Sequence, residues 1–94
     1  MPYMLVRHRV KEYATWKRAF DNDAEARKAA GCLGGQLFRN HDDPEDVMVL
    51  LAWDSADKAR SFSRSTPVRD VMDAAGVIGV PSIVFLGDTE RVEG

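Results

Sequence analysis

Cysteine occurs once in the 94 residues, at Cys32, so the chain has neither the partner for an intramolecular disulfide nor the cysteines for a structural zinc cluster. That usage suits a reducing compartment, and a cytoplasmic location is the expectation. Runs of like charge are missing as well: 13 basic and 15 acidic residues are spread along the chain, for a formal net charge of -2. A nucleic-acid footprint or an anionic-membrane patch needs clustered Lys and Arg, so neither nucleic acid nor membrane is an expected partner. Apolar stretches stay far below the roughly 20 residues that span a bilayer, and no basic flank followed by a long apolar run marks a leader. A Gly-rich phosphate loop, a nucleophile elbow and zinc-ligand spacing are all lacking.

What is present is a globular composition, with 45% hydrophobic and 30% charged residues. Residues 1–94 read as a single domain. A domain of this size buries little surface within one copy, and self-association would add burial.

From Tyr3 to Val10 the pattern alternates, with Met4, Val6, His8 and Val10 on one face and Tyr3, Leu5, Arg7 and Arg9 on the other, which predicts a strand. The period then lengthens. Tyr13, Trp16, Ala19, Phe20 and Ala24 recur at helical spacing, predicting one helix over residues 13–30 stopped by Gly31. Residues 33–39 form a short, partly apolar stretch, Asn40 to Asp46 are rich in turn formers, and Val47 to Trp53 are almost all apolar. Together they predict a hairpin whose second strand is buried on both faces. Ser55 is placed to cap a helix carrying Ala56, Ala59 and Phe62 on its inner side. After Ser65-Thr66-Pro67, Thr66 is placed to cap a further helical segment with Pro67 at its first position, and Val68, Val71, Met72 and Ala75 form its apolar stripe. The last strand is expected within residues 79–86, with Pro81 marking an edge or a bulge, and the tail 88–94 is expected to be mobile.

This order is α+β, a ferredoxin-like β-α-β-β-α-β layout in which helices cover one face of a four-stranded antiparallel sheet. The other face would carry Leu5, Arg7, Arg9, Met48, Leu50 and Ala52. A second copy is its natural cover, so a homodimer is expected.

Several short motifs, in this order and spacing, resemble the dimeric α/β-barrel superfamily and in particular its antibiotic biosynthesis monooxygenase-like branch. They are Gly31-Cys32-Leu33-Gly34 at the second strand, the hairpin Arg39-Asn40-His41-Asp42-Asp43-Pro44, the strand end Leu51-Ala52-Trp53-Asp54, and Ser65-Thr66-Pro67. The resemblance spans roughly Met4 to Ala75. It implies that two protomers join their sheets into a dimeric α/β barrel, each with a ligand pocket between its own sheet and helices. It also implies a range of activities: cofactor-free oxygenases acting on phenolic or quinol compounds, haem degraders, isomerases and domains without assigned roles. Haem degradation fits poorly, because the positions where haem degraders carry a Trp and an iron-binding His fall on Phe62 and near Asp73.

Among the candidate residues, His8 shares a strand face with apolar neighbours, and an imidazole on such a wall suits a general base for a phenol or enol. The alternative is a structural histidine that hydrogen-bonds a backbone carbonyl or sits at a wet edge. Trp16, Phe20, Trp53 and Phe62 are candidate walls of a substrate pocket, or simply core. Arg7 and Arg9 have the chemistry to anchor a carboxylate, but on a sheet-sheet interface they are expected to pair with acids of a partner chain; Cys32 is expected to be a small buried residue, and the acidic turn around His41 a solvated hairpin rather than a metal site. The resulting expectation is an enzyme similar to cofactor-free monooxygenases, or an isomerase, with no cofactor, no metal and a small aromatic or quinone-like substrate. The alternative is a non-catalytic homodimer that binds a small ligand or serves a structural role.

Overall fold

The computed structural model describes residues 1–94, with every side chain except that of Thr66. Alternation in the first segment becomes strand β1, Tyr3–Val10, and its Met4, Val6, His8 and Val10 are all buried as the period of two requires. The helical stripe follows as α1, Tyr13–Asn22, and α2, Ala24–Ala29. One helix was expected here, and Asp23 divides it: its φ of -89° and ψ of 4° leave the helical region. Hydrogen bonding still runs across the break, with the Asp23 amide donating to Ala19 and the Arg27 amide to the Asp23 carbonyl. Gly31, at φ 110°, ends the run in a conformation that a side chain would strain.

Strand β2 is Cys32–Asn40 and strand β3 is Asp43–Trp53. The hairpin is tighter than expected, since β3 begins four residues before Val47. Two ion pairs account for this. Arg7 donates through Nε and Nη2 to Asp46, at 3.0 and 2.6 Å, and Arg9 pairs with Asp43, so the acids lie on the sheet beside β1 rather than in a solvated loop. These are pairs within one chain, which corrects the expectation that the two arginines meet acids of a partner. Pro44 falls in the irregular stretch between the pairs Arg39–Val47 and Asn40–Asp43, where no regular ladder needs its missing N–H.

Helix α3, Ala56–Arg64, starts as expected: the Lys58 amide donates to Ser55 Oγ at 3.1 Å. Helix α4 is Thr66–Ala74, which moves its cap from Thr66 to Ser65 and places Pro67 in the first turn rather than at its first residue. Ser65 is extended, at φ -70° and ψ 142°, and serves as the end of α3 and the start of α4 at once; its Oγ donates back to the Phe62 carbonyl. Strand β4 is Val77–Leu86, two residues longer at its start than expected.

The four strands form one antiparallel sheet in the order β2-β3-β1-β4. Pro81 lies on edge strand β4 inside a bulge, where the pairing jumps from Arg7–Ser82 to Arg9–Ile78. The core lies between the helices and the sheet face carrying Met4, Val6, Val10, Val47, Val49, Leu51 and Trp53, with Trp16 and Ala59 above it. On the opposite face Val84 and Leu86 lie beside Leu5 and Tyr3, and Phe38 beside Met48. Phe38 and Val84 are 48% and 45% exposed there.

Candidate active site

Strand parity puts His8 under the helices, opposite Val47 of β3, and it is only 7% exposed. Its ring meets Trp16 of α1 edge-on at 5.3 Å between centroids. Neither Nδ1 nor Nε2 has a hydrogen-bond partner among the described residues. A buried imidazole without a fixed partner is costly to hold unless something else engages it. The structural alternative considered from the sequence, a histidine tied to a backbone carbonyl, is therefore not the arrangement found.

Burial pushes the His8 pKa below its ordinary value, with the Asp46 carboxylate opposing the shift. Asp46 itself is held down, at about 2, by hydrogen bonds from Arg7 and then Asn40. At neutral pH the imidazole is therefore uncharged and carries a free lone pair, as a proton acceptor requires.

From Trp16 an aromatic row runs along α1. Phe20 stacks on Trp16 at 5.0 Å, and the Arg27 guanidinium covers the other end at 3.8 Å from the Phe20 centroid. A cavity of about 70 Å³ lies between this row and the sheet, bounded by His8, Trp16, Phe20, Asp23, Arg27 and Phe62 among others. The structure thus brings together four of the five residues singled out in the sequence, namely His8, Trp16, Phe20 and Phe62. Trp53 is left outside: it is fully buried at the end of β3, packs on Phe62 at 5.3 Å and bounds neither cavity. Its place at the far end of the inner face makes it core.

A second opening adjoins the first. A groove of about 820 Å³ runs between α2 and the inner face of β2, with Cys32, Gly35, Leu37, Val49 and Leu51 along its floor, and it shares Phe20, Arg27, Val49 and Leu51 with the inner cavity. Gly35 keeps that floor bare. A Cβ there would lie 1.8 Å from the Leu50 carbonyl oxygen, so no side chain fits. Whole small-molecule sites occupy roughly 300–1,000 Å³, which the groove satisfies and the inner cavity does not.

Sequence reasoning missed Arg27 and Gly35. Arg27 had a signal: seven residues after Phe20, it falls on the apolar stripe of its helix, an unusual place for an arginine. Gly35 had none beyond its pairing with Gly34, since the close approach to Leu50 exists only after β2 and β3 register.

Comparison with known structures finds the same architecture repeatedly. A Bordetella bronchiseptica protein described under antibiotic biosynthesis monooxygenase superposes with a TM-score of 0.79 at 15% identity, covering 95% of this chain and 97% of its own. A Caulobacter crescentus protein of the same description gives 0.74 at 23% identity, with 95% and 90% covered. SnoaB, a cofactor-independent oxygenase from Streptomyces nogalater, gives 0.76 at 14% identity, with 99% and 97% covered. Curated protein sequences yield no match. The family model for antibiotic biosynthesis monooxygenase matches residues 6–74, from within β1 to the end of α4. That match takes in His8, the aromatic row, Arg27 and the groove, and the chain belongs to the antibiotic biosynthesis monooxygenase family.

Proposed function

We propose that this protein is a homodimeric enzyme of the cofactor-independent oxygenase type, acting on a small phenolic or quinol-like compound with His8 as proton acceptor. The observation that carries the reading is the buried His8, without a hydrogen-bond partner among the described residues, on a cavity wall beside Trp16. The likeness to SnoaB, described as a cofactor-independent oxygenase, supports the reaction class.

In this reading the substrate hydroxyl enters the inner cavity and gives its proton to His8, leaving a phenolate whose negative charge extends to ring carbon. That electron-rich carbon reduces oxygen, and a carbon–oxygen bond forms to give a peroxide anion. His8 returns its proton to the peroxide. Loss of water, with the ring C–H supplying the second proton, leaves a carbonyl, so one oxygen molecule yields one quinone oxygen and one water. All electrons come from the substrate. The protein holds the ring, keeps water out and moves one proton, work that a positioned general base typically accelerates by about 10²–10⁴-fold.

The apolar open face of the sheet supports the dimer. Phe38, Ile78, Val84 and Leu86 are exposed there around Leu5, Met48 and Leu50, a patch suited to an identical copy.

The test is oxygen consumption with a panel of quinols and anthrone-like phenols, for the unaltered protein and for His8→Ala. Turnover by the former, and a drop of about 10²-fold or more in the latter with the fold intact, is expected. Undiminished turnover in His8→Ala removes the imidazole from the mechanism. Binding without turnover by the unaltered protein would instead indicate a non-catalytic ligand-binding dimer.

A further inference from the structure

Arg27 is a half-buried cation without an ion-pair partner among the described residues, whereas the more exposed Arg7 and Arg9 are both paired with acids of the hairpin. Its Nη1 donates to one neutral group, the Phe20 carbonyl, at 2.7 Å, and its plane covers the Phe20 ring. A guanidinium has five N–H donors in a fixed fork, so most of its donor capacity remains for a ligand. Desolvation depresses its pKa, with Asp23 opposing, which fits a charge held off the solvent. It also borders both openings, the groove along β2 and the cavity of His8.

The groove around it leans cationic. Lys17 and Lys58 lie on its walls but are engaged with Asp21 and Asp54, each at 2.5 Å, whereas Lys28 on the wall has no such pair among the described residues. The groove floor is apolar, and the Phe20 ring on its wall stacks on Trp16 of the inner cavity. A flat, apolar body with one anionic group meets each of these surfaces.

We propose that Arg27 is an anion-recognition residue, and that the natural ligand of this site is an aromatic carboxylate lying in the β2 groove with its acid group on the Arg27 guanidinium. The inference rests on the reading of the His8 cavity as the substrate site and narrows its substrate class to hydroxyaryl acids. The carboxylate would bind by a charge-assisted pair of hydrogen bonds while the ring rests along Phe20 and Leu37 and the hydroxyl enters toward His8. Arg27 thereby selects and positions the substrate, and His8 alone handles the proton.

Binding of 2-naphthoate and of its neutral isostere 2-naphthamide, followed by tryptophan fluorescence of the whole protein, tests this. The acid should bind about tenfold or more tightly than the amide, as expected for hydrogen bonds to a charged group in a partly desolvated site. Arg27→Met keeps an unbranched stem over Phe20 and should bring the ratio to about one by weakening the acid alone; Arg27→Lys should retain part of it. Circular dichroism of both variants checks that the fold is kept. His8→Ala should leave the acid preference unchanged, so loss of the His8 role in turnover and loss of the Arg27 role in binding are separate results. Equal affinity for acid and amide in the unaltered protein, absence of acid binding, or an undiminished preference in Arg27→Met overturns the proposal.

Discussion

Two titrating residues on opposite faces of the same sheet make stability fall with acid in separate pH windows. The His8 pKa is depressed by burial, so the unfolded chain takes up its proton first. The stability His8 permits is fully present above about 6.5, the unfolded value, and is lost as pH falls below it. Asp46 is held at about 2 by Arg7 and Asn40, so its contribution is present above the ordinary carboxylate value and is lost as pH falls from about 3.8 toward 2. Urea unfolding at a series of pH values should therefore show an upper slope that His8→Gln abolishes and a lower one that Asp46→Asn reduces. A His8→Gln variant with the same slope between pH 5 and 6.5 would show that His8 is solvated rather than buried. Both assignments were partly legible in sequence. Alternation placed His8 on the apolar face, whereas Arg7, Arg9, Asp43 and Asp46 became partners only when β1 registered with β3.

Each helix end in the second half of the chain shows how local chemistry sets element boundaries. Ser55 caps α3 by accepting from the Lys58 amide, and Ser55→Ala should cost about 1 kcal/mol, read from the urea midpoint at unchanged slope. No change in midpoint would mean that the cap is replaced by water without loss. Ser65, by contrast, makes no side-chain cap on α4 and holds its place by backbone geometry and its bond to Phe62. Thr66 was the more obvious cap by sequence because it directly precedes Pro67, but the extended residue that separates the two helices is Ser65, one position earlier. The break at Asp23 was hidden for the opposite reason. Its neighbours continue the helical stripe, and only the docking of α2 over β2, with Arg27 folded back on Phe20, shows where the axis changes.

At the scale of the whole molecule, the exposed apolar sheet face is the observation on which the proposed dimer rests. Leu50 lies at the centre of that face, between Leu5 and Gln36 in register. Leu50→Asp should convert the proposed dimer to monomer in analytical ultracentrifugation at micromolar concentration and lower the melting temperature, since an unpaired carboxylate would have to be buried at the interface. A folded monomer for the unaltered protein would refute the dimer. The amino-acid sequence by itself determined the element order, the ferredoxin-like sheet, the buried side of β1 and the family motifs, because alternation, helical stripes and glycine or proline punctuation act over short distances along the chain. Tertiary structure alone decided which groups meet. It paired the strand arginines with their own hairpin, took Trp53 away from the cavity and cleared a groove over Gly35. It also set Arg27 beside the His8 cavity, because those outcomes depend on strand register and helix docking between residues far apart in the chain.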